Sequence, residues 1–310
     1  MAGTIISPRY SPLRVLLPVG LGTSLSLIGD TALYTVLATH TAEAGIALAS
    51  VGIMLSANRW IRLLLNGPAG AVYDRWPRRR LFVPALFAGA FSTLLYATPY
   101  GFWPMLLGRL IWGISWIGIW IGGNTIMLDV TGEDNRGRWV GVYHMTFFLG
   151  AGAGALLGGF FTDLFGYQTM MFVAAGLMLA GAVVALLFLP ETRPVQQEGP
   201  EAVAAAEEKG GEDQQDPSAE PQSVWSQLKD RSFLSAMALL GSIRLVIAGF
   251  LLSTLALFLA GRVGDSVTLA GGRTLGVTSL TGIMLSINSI VSMISAPAFG
   301  GLSDRMSNRW

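Results

Sequence analysis

Five charged side chains, Asp30, Arg59, Arg62, Arg109 and Arg244, stand inside long stretches that are otherwise uncharged. A charge in apolar surroundings is costly unless it is paired, hydrated or neutralised by a proton, so such residues mark proton relays, substrate paths or static ion pairs. Asp30 is the one acid among them. With Arg109 it makes a candidate proton- or substrate-coupling pair, and the competing reading is a static ion pair that fixes helix packing. Arg59 and Arg62 are three residues apart and share a helix face. With Arg244 they are candidates for binding an anionic or zwitterionic substrate, or for reaching out to membrane phosphates. Trp112 and Trp116, continued by Trp120, recur at four-residue steps and suit either an apolar, aromatic cargo or lipid-facing packing. Other chemistries find no support. The chain has no cysteine and only two histidines, so neither a disulfide framework nor a metal site is expected. No GxSxG, HExxH or GxxxxGK[ST] run occurs, which points away from a hydrolase and from ATP as the energy source. No cofactor is expected.

The elements that position these residues are membrane helices. Of 310 residues, 52% are hydrophobic and 13% charged, about half the usual charged share of a soluble domain. Mean hydropathy is +0.55. A net charge of +1 speaks against nucleic acid as a partner. Crossing about 30 Å of hydrocarbon takes roughly 20 apolar residues. Eight stretches qualify, near Val15–Thr39, Gly45–Val72, Leu81–Pro99, Trp103–Leu128, Val140–Thr162, Thr169–Leu189, Phe233–Ala260 and Leu275–Ser303. With the N-terminus inside, 14 Lys and Arg fall on the cytoplasmic side and only Arg262 and Arg273 outside, which fixes the expected orientation. Helical rise then gives depths. Asp30 lies about 22 Å from the inner surface and Arg109 about 9 Å from the outer one, so the two share a level.

Residues 195–232 differ in kind. They begin with a Glu-, Gln-, Ala- and Pro-rich run that reads as a disordered cytoplasmic linker, and end in a short interfacial segment. The expected organisation is a six-helix unit over 1–194, this linker, and a second transmembrane unit over 233–310.

The second unit repeats the first. Shifted by 230 positions, Gly52-Ile53-Met54-Leu55-Ser56 falls on Gly282-Ile283-Met284-Leu285-Ser286, Asn58 on Asn288, Gly70 on Gly300, and Asp74-Arg75 on Asp304-Arg305. Chance likeness between apolar helices would not also align Asn, Asp and Arg. A six-helix unit that starts over after a linker is the parallel-repeat plan of many transporters. The second copy has two spans, so the chain reads as one full half and the beginning of another, with a native eight-span protein as the alternative.

These patterns resemble the major facilitator superfamily. Gly70, Asp74, Arg75, Arg78 and Arg79 resemble its signature loop between spans 2 and 3, with Pro77 where the family usually has Gly. Gly300, Asp304 and Arg305 form its copy. Arg109-x3-Gly113 resembles the span-4 arginine motif. Gly150, Gly154, Gly158 and Gly159, with Ala155 in place of a proline, resemble the span-5 antiporter motif. The resemblance implies an all-α helical bundle that works by rocking two halves, with the signature loops and Asp129 forming a cytoplasmic gate. It implies proton-coupled export of a small molecule, such as a drug or metabolite, by a multi-pass protein of a cell membrane, most simply a monomer among lipids. An uptake symporter or facilitator on the same fold is one alternative. A non-transporting membrane sensor or assembly protein is the other.

Overall fold

The computed structural model describes residues 10–98, 100–193, 231–244, 246, 250–268 and 274–307. The chain divides into two units, residues 1–193 with 252–310, and residues 194–251. In the first lie α1 (Pro12–Val36), α2 (Val51–Arg75), α3 (Arg78–Ala97), α4 (Phe102–Asp129), α5 (Arg136–Phe165) and α6 (Tyr167–Phe188). The second unit contains α7 (Arg231–Arg244), a 14-residue helix. The first unit resumes with α8 (Leu252–Val263), a two-stranded antiparallel hairpin of β1 (Ser266–Thr268) and β2 (Thr274–Gly276), and α9 (Val277–Ser307).

Among the described residues, seven helices are long and apolar enough to cross a membrane. The stretch expected as one span near Phe233–Ala260 holds two helical pieces, α7 and α8. Of the expected linker over 195–232, residues 195–230 lie outside the described residues, as do the side chains of Arg244 and Arg305, while its last two residues open α7.

α1 is the hub of its unit. It packs against α5 and α6, and also touches α3 and α4, while α3 packs on α4 and α6 and α2 packs on α4. The core follows from this: Val15, Val19, Ala32, Leu33, Leu37, Phe82, Leu86, Trp112, Ile119, Tyr143 and Met170 are all essentially buried. The outside is equally apolar, with Leu17, Trp60, Leu63, Leu64, Phe91, Phe172, Leu187, Val291, Ile294 and Phe299 exposed. In water such a belt would be a liability, whereas in hydrocarbon it is the solvent-matching surface. Two turns need glycine. Gly101 opens α4 at φ 88°, and Gly166, alone between α5 and α6, sits at φ 82°.

Candidate functional site

Arg109 emerges from the face of α4 that meets α1 and α2, and its guanidinium is fully buried. Nε donates to the Met54 carbonyl at 2.9 Å, Nη1 to Asp30 Oδ1 at 2.6 Å, and Nη2 to the Tyr34 hydroxyl at 3.1 Å. Tyr34 in turn donates to the Leu55 carbonyl at 3.0 Å. The charge also lies 5.2 Å from the Tyr34 ring centre and 5.7 Å from that of Tyr96. The depth arithmetic thus placed Asp30 and Arg109 correctly at one level, and the structure joins them. Residue spacing alone did not reveal the rest of the node: two main-chain carbonyls of α2 and two tyrosines. The Asp30 side chain keeps 14% of its surface accessible, whereas Arg109 keeps none. Arg109 is therefore held by α2 and Tyr34 as well as by Asp30.

Arg59 lies on the other candidate face, with its guanidinium carbon 5.5 Å from the Tyr34 ring centre. Arg62 follows one turn on, and both are half-buried. Neighbouring Asn58 is buried on the same helix.

The tryptophan ladder is continuous, but its rungs differ. Trp112 and Trp116 are 1% and 6% exposed, and Trp120 is half-buried. Ring centres are 5.7 Å apart for Trp112 and Trp116, and 5.8 Å for Trp116 and Trp120. His144 of α5 stacks on Trp120 at 5.1 Å and 14°, Phe147 packs edge-on at 5.3 Å, and His144 Nε2 is 3.1 Å from Asn124 Oδ1. The accessible end of the ladder is therefore Trp120 with His144 and Phe147. Trp112 serves the core.

Where α3 begins and α4 ends, Arg78 Nε donates to Asp129 Oδ2 at 3.1 Å, joining the two helices. Glu191, which the sequence did not single out, accepts from the main-chain N–H groups of Arg78 and Arg79 at 2.8 and 3.1 Å. It caps the uncapped start of α3, where a carboxylate also suits the helix dipole. Arg193 Nη1 reaches the Arg75 carbonyl at 2.6 Å. Asp74 and Arg75 themselves are exposed, and a side chain at Gly70 would meet open space.

The copy of that loop behaves differently. Asp304 of α9 accepts from the N–H groups of Gly137 and Arg138 at 2.7 and 2.8 Å, at the start of α5. Between these ends α5 is glycine-lined on two flanks. A Cβ at Gly150, Gly154 or Gly158 would sit 2.6, 2.7 or 2.6 Å from the Cα of Ser24, Ile28 or Ala32. That flank therefore packs on α1. The seam with α9 is made by other glycines: Gly137, Gly141 and Gly159, with no room for a side chain against Gly300, Ala296 and Ser279.

A family profile described as Major Facilitator Superfamily matches residues 19–310. The chain belongs to this superfamily. Its superfamily relatives include the class E tetracycline resistance protein of Escherichia coli, 33% identical over 146 residues, covering 47% of this chain and 36% of that protein. The multidrug resistance protein MdtG of Proteus mirabilis (strain HI4320) is 23% identical over 239 residues, covering 76% of this chain and 52% of that protein. The chain thus spans about a third to a half of the length of these curated relatives. A solved superfamily structure, a bacterial homologue of the human lysosomal transporter Spinster in an inward-facing and occupied conformation, overlays with TM-score 0.61 at 19% identity. That match covers 91% of this chain and 58% of the solved one, and it shows the fold. Membership makes this a multi-pass membrane protein of a transporter family rather than an enzyme.

Proposed function

We propose that the chain is part of a proton-coupled exporter of a small, drug-like molecule, working by alternating access in a cell membrane with its N-terminus in the cytoplasm. In this reading residues 1–194 form one half, 195–232 a cytoplasmic linker, and 233–310 belong to the other half. The transporter acts as a monomer surrounded by lipid. The observation that carries the reading is the Asp30–Arg109 node. Arg109 stays charged and stays anchored to Met54 and Tyr34. A proton on Asp30 removes the charge attraction that ties α1 to this anchor and leaves a buried cation in need of a new partner. An anionic group of a substrate, or water admitted by a change of access, supplies one. Arg59 and Arg62 add positive charge, while Trp120, His144 and Phe147 offer an apolar surface. The Arg78–Asp129 pair, Glu191 and the exposed Gly70–Asp74–Arg75 loop make up the inner gate. The export direction is favoured by the names of the relatives, which confer tetracycline and multidrug resistance.

The test is Asp30→Asn in proteoliposomes. Transport driven by a proton gradient should fall at least about tenfold, while substrate counterflow, which needs no net proton movement, should persist. Gradient-driven transport at the parental rate would overturn the proposal.

A further inference from the structure

Helices α5 and α9 run antiparallel, and each ends in an aspartate that grips the beginning of the other. On the inner side Asp304 takes the N–H groups of Gly137 and Arg138. On the outer side Asp163 takes the Ser279 N–H at 2.9 Å, the Ser279 hydroxyl at 2.5 Å and the Thr278 hydroxyl. The register is the same at both ends: Asp163 follows Gly137 by 26 positions, and Asp304 follows Thr278 by 26. Each carboxylate meets the unsatisfied donors of a helix start, where the dipole adds to the attraction and the hydrogen bonds are charge-assisted. Twenty-six residues of helix put the two grips about 39 Å apart, on the two sides of the hydrocarbon.

We propose that Asp163, with Thr278 and Ser279, is the outer latch of the α5–α9 seam, and that it opposes an inner latch at Asp304. This rests on the alternating-access reading. Opening toward the outside parts the seam at Asp163 while Asp304 holds. Opening toward the inside does the reverse. The relative strength of the two grips then sets the balance between outward- and inward-open states. Between them, Gly141, Gly152, Gly159 and Gly282 bring the two helices into close contact with little side chain to interlock, so one end can part while the other stays in register. Sequence reading passed over Asp163, which looks like any acid at the end of an apolar run.

The chain lacks cysteine, so introduced cysteines carry spin labels without background. One pair, Gln168→Cys with Ser266→Cys, reports the outer separation. A second, Asp134→Cys with Leu302→Cys, reports the inner one. Double electron–electron resonance on the protein in nanodiscs should show the ratio of wide to narrow outer separation rising about fivefold in Asp163→Asn, with the inner distance narrow. Asp304→Asn should widen the inner distance instead. Thr278→Val with Ser279→Ala keeps the acid but removes two donors, and should also widen the outer distance. If Asp163→Asn fails to fold, this variant decides alone. An unchanged outer distribution, or widening on the inner side instead, overturns the proposal. The distances are read without transport, so failure of the cargo assay would sink the exporter reading and leave this result standing.

Discussion

Helices α2 and α9 are two copies of one sequence element, yet they are fastened in opposite ways. α2 is pinned along its length: Arg109 holds its Met54 carbonyl, Tyr34 holds its Leu55 carbonyl, and its own Tyr73 hydroxyl donates to the Gly118 carbonyl at 2.7 Å. Its Asn58 is buried, while its Gly70 and Asp74 are bare. α9 inverts this. Asn288 is exposed, Gly300 is pressed on Gly137, and Asp304 is engaged. At the Asn58/Asn288, Gly70/Gly300 and Asp74/Asp304 pairs, each copy leaves uncovered what the other uses. A helix pinned along its length moves with its bundle, whereas one gripped at its two ends can release either and pivot about the other. The repeat therefore specifies an element with two usable faces, and the neighbours decide which face carries load.

Four substitutions would sharpen or break this contrast. Arg109→Ala should be the most damaging, because it cuts the buried tie of α4 to both α1 and α2 and strands Asp30. A loss of about 3–5 kcal/mol is expected, read as a fall in unfolding midpoint in detergent. An unchanged midpoint would mean that α2 is not pinned there. Next, Gly300→Ala should cost about 1–3 kcal/mol by forcing α9 off α5. Its repeat partner Gly70→Ala, with open space around it, should cost nothing and gain up to about 1 kcal/mol from helix propensity. Equal effects at the two glycines would erase the difference between the faces. Smallest is Tyr73→Phe, which removes one hydrogen bond and should cost about 1 kcal/mol by the same measurement.

Some of this was legible in the residues because the physics is local or geometric. Helix rise and bilayer thickness put Asp30 and Arg109 at one level without any knowledge of packing. Matching polar residues exposed the repeat, and charge asymmetry suggested an orientation. What sequence could not supply was long-range register. A four-residue step says that Gly150, Gly154 and Gly158 share a flank, but not that the flank meets α1 while Gly137, Gly141 and Gly159 meet α9. Likewise, nothing local marks Asp163, Glu191 or Tyr34, since each acts on a backbone or side chain far away in the chain. Trp112 and Trp116 show the same limit: equal spacing placed them on one ladder with Trp120 but could not tell which rung faces outward.

The single residue that joins α5 to α6 has a mechanical corollary. Gly166 leaves no slack between the two helices, and the next N–H, that of Tyr167, is held at 3.0 Å by Glu43 Oε2 from the connection after α1. Torque applied at the Phe165 tip of α5 is therefore handed at once to α6 and to the segment carrying Glu43. The tip cannot flap alone, and whatever prises it from its antiparallel neighbour must turn the whole lever arm.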